Sequence, residues 1–206
     1  MSKKKSRNNS DTDDKELIRK VAQKDLRAFQ KLYERHHSLV FNTCCRLLGD
    51  IQQAEDISQE VFLRIYRSAS SFRQTSKVST WIYRIAVNLS LNIIRRNKKF
   101  RWWKSLGSFL EEEQGKGKLL FVSYPDEPEK AWQKREAEAV LKRAVDSLPE
   151  KQRVAFVLHK YEALSSQEIS EILGISSNAV EVRIHRAKRN LQKKLIALLK
   201  KNRQSL

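Results

Sequence analysis

The chain has 206 residues, with 42 Lys and Arg against 24 Asp and Glu, so its formal net charge is +18 at pH 7. Only 5 Gly and 3 Pro occur, which disfavours β-sandwiches and barrels with many tight turns and favours an all-helical fold. The sequence contains no run of about 18 apolar residues, so no membrane span is predicted. The charged first residues lack the apolar segment of a signal peptide, and the two cysteines are adjacent. We therefore expect a reduced, cytoplasmic environment.

The positive charge is concentrated in two stretches of the chain. Between Glu60 and Glu111 there are eleven Lys and Arg and no acid, and nine more follow Glu181 without an acid. Solvated helices usually mix the two signs, because like charges at helical spacing repel each other. This distribution predicts a nucleic-acid backbone contacted at two places. A merely basic surface is the alternative.

The N-terminal half reads as a disordered tail followed by helices. Residues 1–14 are polar and are expected to be disordered. Apolar residues at three- and four-residue steps then predict two helices between Lys15 and Gly49, with Asp25 as an N-cap between them. A third helix is predicted over residues 53–70. Its buried stripe is Ile57, Val61 and Ile65.

The second half reads as a linker followed by a second helical domain. A fourth helix is predicted from about Ser79 to Lys98, with Ile82, Ile85, Ala86, Leu89 and Ile93 as its core stripe. Residues 101–128 lose periodicity and contain three Gly and two Pro, so they are predicted to be a flexible linker. Helical patterning resumes from residue 129, and Pro149 suits the first position of a helix. The chain is thus expected to be all-α, with a first domain over residues 15–100 and a second over 129–206.

The second domain carries the signature of a helix-turn-helix. Ser165 and Glu168 have the spacing of a capping box, Gly174 suits a left-handed turn residue, and Ser176 or Ser177 is expected to cap the next helix. That helix has a core stripe and an opposite polar, basic stripe. The core stripe is Val180, Ile184, Ala187 and Leu191. This geometry enters a DNA major groove, although an ordinary helical hairpin has the same outline.

Four stretches, covering nearly all of the patterned chain, resemble a bacterial sigma factor of the extracytoplasmic-function (ECF) group. They are AFQKLYERHHSLVFNTCCRLLGD, AEDISQEVFLRIYRS, FRQTSKVSTWIYRIAVNLSLNIIRR and LPEKQRVAFVLHKYEALSSQEISEILGISSNAVEVRIHRAKRNL. The run from Thr80 to Asn88 is the most specific. The resemblance implies an alternative sigma factor, which binds core RNA polymerase and directs transcription initiation in an environmental or envelope stress response.

The resemblance also implies which residues of the first domain bind. The polymerase-binding group would be Asp56, Gln59 and Glu60, for which a solvated polar helix face is the alternative. The group at the minus-ten element, which would hold the melted non-template strand, is Arg73, Gln74, Thr75, Ser76, Lys77, Arg84, Asn88, Asn92, Arg95 and Arg96. Trp81 and Tyr83 are candidates for stacking on bases, and core packing is their alternative, which we favour for Trp81.

In the second domain the resemblance implies a reader of the minus-thirty-five duplex. Its residues would be Ser177, Asn178, Glu181, Val182, Arg183, His185, Arg186 and Arg189. Arg186 suits guanine O6 and N7, whereas an acid such as Glu181 would favour a cytosine amino group. Glu181 and Val182 stand where some members carry Arg and Ser. The family further implies an anti-sigma partner.

Two other classes of function are considered. An enzyme is disfavoured, because no histidine has metal-ligand spacing and no phosphate-binding glycine loop occurs. We therefore expect no catalytic residue, metal, cofactor or small-molecule substrate. His36 and His37 are expected at the surface or at an interface, and Cys44 and Cys45 in the core. A conventional repressor or activator would leave the patterning of residues 53–100 unexplained.

Overall fold

The computed structural model describes the backbone of residues 2–73, 75–107 and 139–203, and the side chains of residues 11–73, 75–100 and 139–197. Within these residues all regular structure is helical, as the composition predicts. The helices are α1 (Ser2–Ala22), α2 (Leu26–Leu48), α3 (Ile51–Ser68), a 3-10 turn (Ala69–Ser71), α4 (Val78–Gly107), α5 (139–146), α6 (Glu150–Lys160), α7 (Ser166–Leu173) and α8 (Ser177–Arg203). The chain divides into two compact units, and each is described by itself.

The first unit is a bundle in which α1, α2, α3 and α4 pack against one another. Its helix boundaries follow from the residues at the ends. The carboxylate of Asp25 accepts from the backbone N–H groups of Arg27 and Ala28, which confirms it as the N-cap of α2. At the other end Gly49 has φ 73° and closes α2, and Asp50 then caps α3. The predicted break at these two residues is thereby confirmed.

The core of the first unit is formed by the stripes that the sequence predicts. Burying each large aliphatic side chain contributes about 1.5–3 kcal/mol. The largest fully buried side chains are Ile18, Val21, Leu32, Val40, Leu47, Val61, Ile65, Val78, Ile82 and Val87. Cys44 and Cys45 are also buried, as predicted, and burial raises the pKa of each thiol to about 11. These thiols are therefore protonated at neutral pH.

Two predicted boundaries of the first unit are wrong. Residues 2–14, expected to be disordered, belong to α1, and the last of them, Asp14, is buried against a partner on α2. Helix α4 continues past residue 101, the predicted start of the linker, and ends at the first glycine, Gly107. The rest of the predicted linker, residues 108–128, lies outside the described residues.

One histidine is also misassigned by the sequence. His36 is buried rather than at a surface, and its Nε2 lies 2.9 Å from Oδ2 of Asp14. Arg35 donates to the other oxygen of the same carboxylate. Burial by itself would raise the pKa of Asp14, but the hydrogen bonds and charges of His36 and Arg35 outweigh it and lower the pKa. We call Asp14, Arg35 and His36 the Asp14 cluster.

The second unit is built on the packing of α6 against α8. Helix α6 begins one residue later than predicted, with Pro149 in the N-cap position. The backbone N–H groups of Gln152 and Arg153 both donate to the Pro149 carbonyl. The largest fully buried side chains of the second unit include Leu158 and Ile169, and Val157 and Val180 are also buried. The predicted beginning of the second domain, residues 129–138, lies outside the described residues.

Among the residues that the structure describes, none forms a helix that is long and apolar enough to cross a membrane.

Candidate functional site

The first candidate surface is one face of α3. Asp56 and Gln59 are exposed and Glu60 is partly exposed, and their spacing brings all three to the same side of the helix. The carboxylate of Glu60 accepts from Nε of Arg64 at 3.4 Å. The opposite stripe, Ile57, Val61 and Ile65, is buried as predicted. We call Asp56, Gln59 and Glu60 the acidic face.

An exposed leucine extends the acidic face and was not among the predicted binding residues. Leu63 is 47% exposed and stands four residues after Gln59, so it continues the same side of α3. On α2 the ring of Tyr33 is 38% exposed and lies 4.7 Å from the buried ring of Phe62. The signal for Leu63 was present in the sequence as an apolar residue on the polar stripe. The exposure of Tyr33 can be recognised only from the tertiary structure, because nothing in its local sequence pattern distinguishes it from a core aromatic residue.

The loop between the 3-10 turn and α4 carries part of the predicted minus-ten group. Arg73, Thr75 and Lys77 are exposed and Ser76 is partly exposed. Gln74 lies outside the described residues. Directly after the loop, the backbone N–H of Val78 donates to Oδ1 of Asp11 at 3.1 Å, so the start of α4 is capped by a residue of α1.

Helix α4 presents the other part of the predicted minus-ten group along one side. Arg84, Asn88, Asn92, Arg95 and Arg96 are all exposed. They extend over about 18 Å of helix at 1.5 Å per residue. The opposite side of α4 is buried, although Ile85 and Ile93 of the predicted core stripe are only half-buried. The structure thus brings these five polar residues onto one continuous surface, which we call the α4 face.

The two aromatic residues near the start of α4 differ in exposure. Tyr83 is buried, with 4% of its surface exposed, so its ring belongs to the core and is not available to stack on a base. Trp81 is half-buried, and its ring centroid lies 5.2 Å from that of Phe72 at an angle of 45°. The favoured core assignment of Trp81 is therefore only partly matched, because part of the surface of the residue remains exposed.

Helices α7 and α8 form the predicted helix-turn-helix. In the capping box the backbone N–H and hydroxyl of Ser165 donate to Oε2 of Glu168 at 3.1 and 3.0 Å, and the N–H of Glu168 donates back to the Ser165 hydroxyl at 3.2 Å. Gly174 has φ 63°, and the N–H of Ile175 reaches the Ser170 carbonyl at 3.2 Å, which closes α7 in a Schellman motif. Each of these features follows from the local sequence.

The N-terminus of α8 is capped by the first of the two predicted serines. The backbone N–H of Ala179 donates to the hydroxyl of Ser176 at 3.2 Å. The polar stripe that follows is accessible, whereas the predicted core stripe is buried. Asn178, Glu181, Val182, His185, Arg186 and Arg189 are exposed, and Ser177 and Arg183 are half-buried. We call these eight residues the α8 face.

The α8 face is held in place from the far end of its helix. Nδ2 of Asn190 donates to Oε1 of Gln152 on α6 at 2.8 Å, and Nζ of Lys194 donates to the Ser147 carbonyl at 3.1 Å. These contacts and the buried stripe fix the rotation of α8 about its axis. The unit therefore presents a rigid polar helix of the width that a DNA major groove admits.

Metal-ligating side chains are not clustered among the described residues. No group of three or more His, Cys, Asp or Glu that could hold a metal ion occurs among them. Their one tight carboxylate–histidine pair, Asp14 with His36, is buried and holds α1 to α2. The acidic face, the α4 face and the α8 face offer charged groups and amides to a binding partner.

Comparison with known proteins places both units in one family. Residues 32–100 match Sigma-70 region 2, and residues 138–191 match Sigma-70, region 4. The two matches contain all of the acidic face, the α4 face and the α8 face. Two solved structures share the fold. CnrH in complex with the cytosolic domain of CnrY has a TM-score of 0.63 at 22% identity, over 90% of this chain and 98% of that one. RpoE in complex with the anti-sigma factor NepR from Bartonella quintana has a TM-score of 0.61 at 20% identity, over 81% and 96%.

Related sequences agree with this over nearly the full length. The chain is 34% identical to the ECF RNA polymerase sigma factor SigW of Bacillus subtilis, over 88% of this chain and 96% of that protein. It is 31% identical to the RNA polymerase sigma-H factor of Pseudomonas aeruginosa, over 91% and 96%. It is 30% identical to the ECF RNA polymerase sigma-E factor of Escherichia coli, over 91% and 97%. The chain belongs to the ECF group of the sigma-70 family of RNA polymerase sigma factors.

Proposed function

We propose that this ECF sigma factor binds core RNA polymerase through the acidic face, holds the melted minus-ten strand on the loop and the α4 face, and reads minus-thirty-five duplex with the α8 face. The observation that carries the proposal is the segregation of charge over three separate helix surfaces. One surface is acidic with an apolar neighbour, one is basic and rich in amides, and one is a polar helix that follows a tight turn.

The acidic face suits a protein partner better than DNA. Asp56 and Glu60 repel phosphate, while the exposed Leu63 beside them adds apolar surface of the kind that is buried at the centre of protein interfaces. Exposed charges of this sort mainly set association rate and orientation, and a buried apolar anchor contributes more of the affinity. We therefore include Leu63 in the polymerase-binding group.

The α4 face suits an unpaired strand. Opened bases need phosphate contacts, stacking surfaces and amide groups that can reach their edges. Arg84 and Arg95 supply positive charge, and Asn88 and Asn92 supply amides. Trp81, which is half-buried near the start of the helix, is the candidate for stacking. No acid occurs in the sequence between Glu60 and Glu111, so the loop and α4 themselves add no negative charge along this path.

The α8 face suits duplex DNA. Ser177 and Asn178 stand in the first turn of α8, where free backbone N–H groups and the helix dipole favour a phosphate. Further along, Arg186 is exposed and can donate two hydrogen bonds to guanine. Glu181 and Val182 occupy the same side of α8. In the minus-thirty-five duplex, Glu181 therefore accepts a hydrogen bond from a base, and Val182 makes an apolar contact.

The remaining assignments rest on membership in the family. The protein acts in the cytoplasm, catalysis belongs to the polymerase, and an anti-sigma factor of the kind seen with CnrH and RpoE masks the binding faces until an environmental or envelope signal releases them. The first domain extends from α1 to the end of α4 at Gly107, and the second over 129–206. A linker joins them.

Mapping of transcription starts tests the proposal as a whole. The full chain is added to sigma-free core polymerase on a genomic library, and the starts are compared with those from core polymerase alone. We expect new starts that share two upstream motifs separated by a constant distance. New starts without a shared motif, or none at all, would contradict the proposal.

Substitutions in the full chain test which surface binds which partner. Glu60→Lys is expected to lower the affinity for core polymerase and to leave duplex binding unchanged. The control is Glu16→Lys, which changes an exposed residue of α1.

Arg186→Ala is expected to lose about 1–3 kcal/mol of discrimination between the cognate and a scrambled minus-thirty-five duplex. Arg186→Lys keeps the charge but loses the planar fork, so it should retain phosphate affinity and lose discrimination. If Arg186→Ala weakens binding to the cognate and the scrambled duplex equally, and Arg186→Lys restores binding to both, Arg186 contacts phosphate rather than a base.

A further inference from the structure

Helix α4 obtains its N-terminal cap from a residue 67 positions earlier in the chain. Oδ1 of Asp11 accepts from the backbone N–H of Val78, the first residue of the helix, at 3.1 Å. The carbonyl of Lys77, the preceding residue, already accepts from Trp81, which makes Lys77 the N-cap position. A lysine side chain has donors only and cannot satisfy an N–H group. Asp11 therefore supplies the acceptor that the local sequence lacks.

The position of Asp11 is itself fixed by buried contacts of α1. One turn later, Asp14 is held by Arg35 and His36, and only 5% of its side chain is exposed. Further along α1, Ile18 and Val21 are fully buried. The second oxygen of Asp11 pairs with Nζ of Lys15 at 3.2 Å. Both carboxylate oxygens of Asp11 are thus engaged, and its direction is set by a helix that is anchored in the core.

Helix α1 also contacts the other end of the loop. It packs against the 3-10 turn that precedes Phe72, as well as against α4. The loop residues Arg73, Thr75 and Lys77 stand between these two supports, and their side chains are exposed. The ends of the loop are thereby fixed relative to each other by one helix, without the loop residues themselves being buried.

We propose that Asp11 is a positioning residue for minus-ten recognition: through the N–H of Val78 it holds the start of α4, and with it the loop, in the arrangement that receives the unpaired strand. The inference rests on the function proposed for the loop. Its physical basis is preorganisation, because a loop that is ordered before binding does not lose that conformational entropy when DNA arrives. The carboxylate also complements the positive end of the α4 dipole.

Three variants of the full chain, assembled with core polymerase, test the inference. Asp11→Ala removes the acceptor, Asp11→Asn keeps an oxygen acceptor without the charge, and Asp13→Ala alters an exposed carboxylate on the same helix. The probe is a single-stranded non-template oligonucleotide carrying the minus-ten motif found by mapping transcription starts, compared with a scrambled one. Affinity for core polymerase is measured in parallel, together with amide exchange at Val78.

Asp11→Ala is expected to speed amide exchange at Val78 and to weaken oligonucleotide binding by about three- to tenfold, the size of a lost N-cap. Affinity for core polymerase should stay unchanged. Asp11→Asn should restore most of the oligonucleotide affinity, and Asp13→Ala should match the unmodified protein. If Asp11→Ala binds the oligonucleotide as well as the unmodified protein, or loses polymerase affinity to the same degree, Asp11 is only a structural cap and the inference is overturned. If the unmodified holoenzyme does not distinguish the motif from the scrambled strand, the minus-ten assignment itself fails.

Discussion

Helices α4 and α8 both expose a row of polar side chains, but their N-termini are capped from different distances. Helix α8 is capped by Ser176, three residues before the amide that it accepts from. Helix α4 is capped by Asp11, which belongs to another helix. The α8 face is therefore formed by the chain segment that carries it, whereas the α4 face and its loop depend on the assembly of the whole first unit.

The same contrast extends to the interiors of the two units. Among the described residues, the buried polar side chains of the first unit are Asp14, His36, Thr43, Ser58, Thr80 and Ser90, and Arg153 is the one in the second. Asp14 joins α1 to α2 in this way. The second unit has an almost wholly apolar interior, with caps and turns at its helix ends and the polar contacts of Asn190 and Lys194 outside that interior. Substitutions should consequently be most damaging at long-range polar contacts in the first unit, and milder at local turns in the second.

The largest effect is expected for Asp14→Ala. The substitution leaves His36 buried without its carboxylate partner and removes the acceptor of Arg35, and breaking a buried pair in this way costs about 3–5 kcal/mol. Because Arg35 is itself partly exposed, we expect about 3 kcal/mol. This loss in the free energy of unfolding is measured by urea unfolding of the full chain, with amide exchange to assign each transition to a unit. Asp13→Ala is the control, and a loss below about 1 kcal/mol would show that the cluster is not a main link of α1.

The pH dependence of the first unit follows from the lowered pKa of Asp14. A carboxyl whose pKa is depressed by folding stabilises the folded state above its unfolded pKa, and that contribution is lost as pH falls through the folded value. The free energy of unfolding of the first unit should therefore decrease as the pH falls below about 4, the ordinary pKa of Asp. In Asp14→Asn this part of the decrease should disappear. An unchanged acid profile in Asp14→Asn would assign the acid sensitivity to other carboxylates.

How far the sequence predicts this molecule depends on the distance over which each feature is specified. The Asp25 cap, the Gly49 break, the capping box at Ser165 and the turn at Gly174 were all predicted, because each is specified within a few residues. The stripes of α3 and α8 were predicted for the same reason. The helical structure of residues 2–14 was not predicted, since nothing in this polar segment, with its seven acidic or hydroxyl residues, indicates locally that one carboxylate pairs with His36.

The candidate surfaces follow the same rule. Periodicity identified the acidic, α4 and α8 faces correctly as exposed, because exposure is the complement of a buried stripe. It did not separate Trp81, which is half accessible, from Tyr83, which is buried. Two aromatic residues two positions apart on a helix differ only in what packs against them. The support given by Asp11 to the loop was also beyond the sequence, because it depends on a contact between helices.

An intermediate effect is expected for Gly174→Ala, which tests how local the second unit is. Gly174 has φ 63°, and a Cβ added there would meet no atom within 4 Å. The strain of a left-handed alanine costs about 1–2 kcal/mol, and the restricted unfolded chain returns about 0.4–1 kcal/mol, so the net loss should be about 0.5–1 kcal/mol. Asparagine tolerates this conformation better, so Gly174→Asn should lose less. Thermal unfolding of the second unit measures both. A loss well above 2 kcal/mol in Gly174→Ala would mean that the turn couples to more of the unit than its own backbone.

The smallest effect, and the one gain, is expected for Ala163→Gly in the loop between α6 and α7. Ala163 is exposed and has φ 52°, so the side chain adds strain and little packing. Removing a left-handed alanine relieves about 1–2 kcal/mol, whereas the greater freedom of glycine in the unfolded chain costs about 0.4–1 kcal/mol. The net gain should be about 0.5 kcal/mol in the second unit. Ala197→Gly, at an exposed position of α8 with ordinary helical geometry, should instead lose about 1 kcal/mol. Because the two substitutions are chemically identical, opposite signs would isolate backbone conformation as the cause, and two losses would show that the positive φ at Ala163 carries no strain.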